Sequence, residues 1–290
     1  MENDLIFRLE KILSESFKCI SSISNSYFAD THKIEFDSGK KYFLKLSKLK
    51  NLRLLSSEAE GLDELRKLKV ISVPEIVALD QDYLLLEWIE RGDYNTDSGL
   101  EKLGSQLAEM HRIPGLKFGY KNDNYIGGSP QCNIPSILGS ENWVSFYTEN
   151  RLKFQLELAD KNGYVTPEIR NLMESLMIKM PELLSGTEEN PSLLHGDLWS
   201  GNYIIDISGK PWLIDPAVYY GHREADLAMT SLFGGFSDVF YSAYKSEFQI
   251  SPGYADREPL YQLYHLMNHL NLFGKGFYKQ ILTVLKRYVG

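Results

Sequence analysis

Residues 195–215 read HGDLWSGNYIIDISGKPWLID. Asp197, Asn202 and Asp215 stand out, the second five residues after the first and the third thirteen after that. Leu193-Leu194 lead into a tight His195-Gly196-Asp197 turn. NYIIDI and PWLID read as two short strands joined by Ser208-Gly209-Lys210. A hairpin of that length returns Asp215 beside Asn202, so two carboxylates and an amide line one pocket. Any one of the three is equally well explained as a turn cap; the joint spacing carries the reading.

Phosphoryl transfer needs such a set. One carboxylate orients the attacking hydroxyl and accepts its proton, while a second carboxylate and an amide hold Mg²⁺ against the phosphates. The spacing resembles protein-kinase-like catalytic loops, with Asp197 as base and Asn202 and Asp215 as metal ligands. The upstream chain should then supply the other parts. THKIEF and KKYFLKL form a hairpin about Asp37-Ser38-Gly39, and SSEAEGLDELRKL a helix. Lys45 faces away from Tyr42, Leu44 and Leu46 and is the expected contact to the ATP phosphates, paired with Glu58. Glu60 is the other candidate, but Ser57 and Glu60 have the spacing of a capping box. VPEIVALD and YLLLEWI form a second strand pair, ending in an adenine-binding hinge where the Glu87 carbonyl and the Ile89 N–H are the candidate contacts. Arg91-Gly92-Asp93 breaks the pattern after it. The stretch CISSISNSYFADTHKIEF stands where a glycine-rich phosphate loop belongs, yet contains no glycine. Ser22, Ser24, Asn25 and Ser26 are its polar substitutes.

From about Leu100 the chain is mostly helical. The fold class is therefore α+β: a two-lobed, protein-kinase-like fold with a small β-rich N-terminal lobe (residues 1–90) and a larger α-helical C-terminal lobe (residues 91–290). With 290 residues, 43% of them hydrophobic, the chain can fill two cores. A net charge of −8 argues against a nucleic-acid surface. Two cysteines make neither a disulfide framework nor a zinc site. No apolar stretch is long enough to span a bilayer. MENDLIFRLEKIL is amphipathic and acidic, unlike a signal peptide. These features lead us to expect a monomeric cytoplasmic protein that binds neither nucleic acid nor membrane.

HGDLWSGN, IDPAVYYGHREADLAM and YQLYHLMNHLNLFG resemble the fructosamine/ketosamine-3-kinase family, a branch of the aminoglycoside-phosphotransferase-like kinases. The likeness extends through FGYKNDNYIGGSPQCN and NWVSFYTENRLKFQLELA, and so over nearly the whole chain. It implies ATP- and Mg²⁺-dependent phosphorylation of the 3-hydroxyl of a sugar joined to an amine as a ketoamine. The substrates would be small ketoamines and glycated lysines on proteins, either ribulosamine or fructosamine, and the 3-phosphate would destabilise the adduct so that the amine is released.

Trp199 could stack on the acceptor sugar or support the loop from the core. Tyr219, Tyr220 and His222 are candidate rim residues of the acceptor site, and Asp123 and Asn124 lie in a loop that can approach it. Asp226 is expected to brace the catalytic loop. His265 and His269 are four apart but lack a third ligand, so a metal site there is not expected. A buried structural thiol is the default reading of Cys19. Two rival readings stay open: a kinase of another alcohol such as an aminoglycoside, and a non-catalytic scaffold of the same fold. The stretch from Tyr261 to Gly290 holds no Asp or Glu, which argues against a C-terminal cradle for a polycation.

Overall fold

The structure, a computed structural model, describes residues 2–25, 28–48, 53–92 and 96–290. Ser26 and Asp93, both named above, lie outside them. In the small lobe, α1 (Glu2–Leu13) is followed by β1 (Phe17–Asn25), β2 (Ala29–Phe36), β3 (Lys41–Ser47), α2 (Leu54–Leu68), β4 (Ile76–Leu79) and β5 (Tyr83–Glu87). The five strands form one antiparallel sheet in the order β1-β2-β3-β5-β4. Strand alternation divides its side chains between two layers. Leu44, Tyr83 and Leu85 pack with Ile34 and Phe36 under Leu5 and Leu9 of α1. Leu84 and Leu86 face Leu55, Ala59, Leu62 and Leu65 of α2. Lys45, one residue out of phase with buried Leu44, therefore points to the α2 side.

Two local readings are corrected here. The stretch read as a phosphate loop is divided between the nine-residue strand β1 and the eight-residue strand β2, which pair from Phe17↔Phe36 to Asn25↔Asp30. Its serines form the ladder: Ser24 Oγ lies 2.9 Å from Thr31 Oγ1. On this edge strand Cys19 is exposed, not buried. The expected capping box at Ser57 is absent because α2 starts a turn earlier, at Leu54, where Leu54 and Leu55 are drawn into the core. Ser57 is a buried residue of the first turn.

The large lobe continues with α3 (Asp97–His111), the hairpin β6 (Asn124–Ile126) and β7 (Ser129–Gln131), then α4 (Ile137–Glu141) and α5 (Trp143–Phe146). A π-helical segment (Tyr147–Lys153) runs into α6 (Phe154–Lys161), followed by α7 (Pro167–Leu183). Four short strands, β8 (Ser192–Leu194), β9 (Tyr203–Ile205), β10 (Pro211–Leu213) and β11 (Tyr219–Gly221), pair as β8 with β11 and β9 with β10. The chain ends in α8 (Glu224–Leu232), α9 (Asp238–Glu247), α10 (Tyr254–Phe273) and α11 (Tyr278–Val289). The segment joining the lobes pairs directly with the β9–β10 hairpin. Gly92 N donates to Ile205 O (2.9 Å), Ile207 N to Glu90 O (3.2 Å), and Leu213 N to Ser72 O (2.9 Å). The hairpin that carries the site is thus also the seam between the lobes. Among the described residues no helix is long and apolar enough to cross a membrane.

Candidate active site

The catalytic turn is held from behind. Gly196 has φ +82°, and a Cβ there would lie 2.0 Å from Ala217 O, so only glycine fits. Buried Asp226 accepts the backbone N–H groups of His195 (2.7 Å) and Gly196 (2.9 Å), and its Oδ2 lies 3.3 Å from His111 Nε2. This is the brace that the sequence suggests. Burial alone would raise the Asp226 carboxyl, but His111 and the backbone donors hold it below the ordinary range. His195 donates from Nε2 to Ile214 O (2.9 Å) and accepts the Asp197 N–H at Nδ1 (3.3 Å), which defines a neutral tautomer.

On the other side of the turn, Asn202 Nδ2 donates to Asp197 O (2.8 Å) and Oδ2 (3.3 Å). Ile214 N returns to Asn202 O (3.0 Å), which puts Asp215 next in line. Asp215 itself has φ +52°, a left-handed conformation that strains a non-glycine residue and is found at functional sites. Burial, reinforced by the charge of Asp215, pushes the Asp197 carboxyl up to about 7 against the opposing hydrogen bond from Asn202. A carboxyl poised there is suited to accepting a proton near neutrality.

From the small lobe, Lys45 Nζ reaches Glu58 Oε2 (2.6 Å) and Asp215 Oδ1 (2.9 Å). Burial would lower the lysine, but the two carboxylates outweigh it and hold it above the usual range. At Glu58 burial wins, with Asp215 adding to it, and the carboxyl is raised. At Asp215 the lysine wins and the carboxyl is lowered. The alternative, Glu60, is engaged elsewhere, by Arg53 (3.1 Å) and Asn122 (3.2 Å).

Lys45, Glu58, Asp197, Trp199, Asn202 and Asp215 all line one cleft of about 650 Å³ between the lobes. Ser24 lines it too, while Asn25 is engaged by Lys48. Trp199 is 40% exposed, and its ring lies over Gly201, where a Cβ would come within 2.3 Å of the indole. It is a cleft wall, not a core tryptophan.

Six of the expected site residues fall outside this cleft. Tyr219 is buried in the large-lobe core, its ring stacked on Phe146 and 3.9 Å from the Arg151 guanidinium. Pairing of β11 with β8 turns it inward, so it does not rim the acceptor site. Tyr220 points the other way and bonds Glu64 (3.2 Å), and His222 is buried against Thr187 O (2.8 Å). Asp123 caps its own loop, accepting the N–H groups of Asn133 (2.7 Å) and Ile134 (3.1 Å). Glu87 closes β5 and Ile89 is buried just beyond it; neither lines the cleft that holds the catalytic side chains.

Sequence reasoning missed most of the large-lobe wall of the cleft, formed by Tyr125, Phe233, Asn268, His269, Leu272 and Phe273. Asn268, His269 and Leu272 share one face of α10, and Phe233 and Phe273 flank His269 with ring centroids 4.9 and 5.4 Å away. His269 donates from Nδ1 to His265 O (2.8 Å), and burial lowers its pKa, so the ring is neutral. The signal was the adjacent polar pair Asn268-His269, set among the apolar residues of α10.

Comparison with known proteins agrees with this geometry. A model of the family described as fructosamine kinase matches residues 10–290. A "probable ketoamine kinase" of Synechocystis is 40% identical over 256 residues, covering 87% of this chain and 84% of that protein. The chloroplastic protein-ribulosamine 3-kinase of Arabidopsis thaliana is 36% identical over 255 residues, 86% of this chain and 76% of the relative. The crystal structure of a candidate fructosamine-3-kinase from Thermobifida fusca superposes with a TM-score of 0.88 at 32% identity, covering 98% of both chains. ADP-bound aminoglycoside phosphotransferase APH(2'')-Ib shares the fold, with a TM-score of 0.66 at 15% identity over 99% of this chain and 97% of the other. The chain therefore belongs to the fructosamine kinase family and, with it, to the ATP-dependent ketoamine kinases.

Proposed function

We propose that the protein transfers the γ-phosphoryl group of ATP to the 3-hydroxyl of a sugar-derived ketoamine, ribulosamine or fructosamine on a lysine, as a deglycation step in the cytoplasm, acting as a monomer. One observation carries the choice of acceptor. Beyond Glu58, Asp197 and Asp215, no described residue lining the cleft is acidic, and the large-lobe wall is aromatic and neutral. A polycationic aminoglycoside calls for additional carboxylates. A sugar on an alkylamine calls for flat faces and a few neutral hydrogen-bonding groups, which Trp199, Phe273, His269 and Asn268 supply.

In this reading Asp197 accepts the proton of the attacking hydroxyl and orients its oxygen. Lys45, fixed by Glu58, meets the α/β-phosphates. Adenine would reach past that cleft to the chain just after β5, where the Glu87 carbonyl and the Ile89 N–H are the candidate contacts. Asn202 and Asp215 are hard oxygen donors suited to Mg²⁺, which commonly takes one or two protein ligands and completes its shell with phosphate and water. The donor set fits: the Asn202 amide nitrogen is committed to Asp197, which leaves its oxygen for a cation, and the Asp215 side chain is 42% exposed to the cleft. When bound, the metal would neutralise charge developing on the transferred group. The test is Mg²⁺-dependent ATP consumption with ribulosyl-lysine, fructosyl-lysine, kanamycin and choline. Turnover on a ketoamine supports the reading. Turnover on kanamycin or choline alone replaces the acceptor, and nucleotide binding without turnover on any of them makes the protein a scaffold.

A further inference from the structure

Arg151 is fully buried, yet among the described residues no carboxylate pairs with it. Its guanidinium lies over the rings of Tyr219 (3.9 Å), Phe146 (4.8 Å) and Tyr264 (5.3 Å), and its Nε has no hydrogen-bond partner among the described residues. The remaining nitrogens donate to oxygen atoms: Nη1 to Cys132 O and Asn150 O (3.1 Å), and Nη2 to Asn133 Oδ1 (2.8 Å). The π-helical segment makes this reach possible. Its widened turn lets the adjacent residues Asn150 and Arg151 both address the segment 132–134 that follows β7, with Asn150 Nδ2 donating to Ile134 O (3.0 Å).

A chain of amides continues from that bond. Asn133 Nδ2 donates to Asn124 Oδ1 (2.6 Å), and Asn124 Nδ2 donates to Val218 O (2.8 Å). Gln131 Nε2 donates to the same Asn124 oxygen (2.8 Å) and to Ala217 O (2.9 Å), while its Oε1 accepts the Tyr264 hydroxyl (2.7 Å). Asn124, Gln131 and Asn133 are all buried. An amide by itself can turn over and exchange donor for acceptor, but a guanidinium only donates. Arg151 at one end, which only donates, and the carbonyls of Val218 and Ala217 at the other, which only accept, set the sense of the amides between them. The relay delivers two N–H donors to the carbonyls that follow Asp215. From the opposite side the catalytic turn holds the same segment, with His195 Nε2 on Ile214 O (2.9 Å) and Ala217 N on His195 O (2.8 Å). The strained φ of Asp215 lies between the two clamps.

We infer that Arg151 is a positioning residue which, through the Asn133–Asn124–Gln131 relay, sets the backbone of residues 215–218 and with it the aim of the Asp215 carboxylate. The inference rests on the phosphoryl-transfer reading of the site but not on the identity of the acceptor. Its test is calorimetric titration with ADP, with and without Mg²⁺, on the wild type, Arg151→Met and Gln131→Met, together with kcat and KM on ribulosyl-lysine. Removing the support of a metal ligand typically costs tenfold or more in metal affinity. We expect metal-free ADP affinity within about twofold of wild type, and the gain in affinity from Mg²⁺ reduced about tenfold. We expect kcat to fall by a similar factor, with the ketoamine KM little changed. Gln131→Met leaves the buried cation in place and decides the matter if Arg151→Met does not fold. An unchanged Mg²⁺ gain in folded Gln131→Met would overturn the inference and leave the relay a purely structural network. A wild type that binds Mg·ADP but ignores ketoamines would overturn the acceptor reading instead, with the calorimetry still judging Arg151.

Discussion

Asp197 is fixed in place by one set of interactions and tuned by another, with the Asn202 hydrogen bond opposing the rise of its carboxyl. Backbone bonds fix its turn, while burial and Asp215 raise its carboxyl to about 7. Asp197→Asn preserves the shape and removes the proton acceptor, so kcat should fall by about 10²–10⁴. ADP affinity by calorimetry should stay within about threefold, since the change does not touch the nucleotide's own contacts. Lys45→Met should act differently. It leaves Glu58 without its cation, and breaking a buried pair costs roughly 3–5 kcal/mol. Urea melts should show that loss along with a raised KM for ATP, and a melt unchanged from wild type would contradict the pairing. At this scale the sequence was informative where spacing decides: the Asp197–Asn202–Asp215 set follows from hairpin length, whereas Glu58 was preferred to Glu60 on a capping box that α2 does not form, and the structure pairs Lys45 with Glu58 for another reason, the phase of the helix. It was silent where strand pairing decides. Tyr219 and Tyr220 are adjacent and chemically alike, and only the register of β11 on β8 sends one into the core and the other towards Glu64.

Among the elements, the hairpins and long helices are legible because apolar periodicity marks them. β1 was not, because FKCISSISN has one weakly apolar edge and its partner residues lie on β2. The large-lobe wall of the cleft was missed for a related reason. α10 reads as a core helix, and only the packing of α8 and its end, with Phe233, turns Asn268 and His269 towards the cleft. Trp199→Ala and Phe273→Ala should therefore raise the ketoamine KM severalfold and leave the KM for ATP unchanged, a split measurable by varying each substrate in turn. The Asp226 brace carries a pH signature. Its carboxyl is held below the ordinary value of about 4. The stabilisation is therefore fully present above that value and is lost as pH falls towards the folded-state pKa. Asp226→Asn should be less stable than wild type by about 2 kcal/mol at pH 7. The difference in urea midpoint should shrink below about pH 4; a difference constant with pH would contradict the charged brace.

In the whole molecule, the two lobes meet along the β9–β10 hairpin, and the cleft draws Ser24, Lys45 and Glu58 from one side and the catalytic loop from the other. A ligand that spans the cleft should stabilise the protein as a unit. Mg·ADP at a hundredfold excess over its Kd adds about 2.7 kcal/mol. For a chain of this length that corresponds to a rise of roughly 4–5 °C in Tm, and to more than ADP gives without the metal at equal concentration. The two-lobe plan was legible from the change of β-rich to helical patterning near residue 90. The central claim concerns the bond that is made, so the most direct measurement is phosphorus NMR of the product formed from ribulosyl-lysine and ATP, with Asp197→Asn alongside. The account predicts a single phosphomonoester on the sugar 3-oxygen, absent with the variant. A phosphate on another oxygen, or equal product from Asp197→Asn, would contradict it.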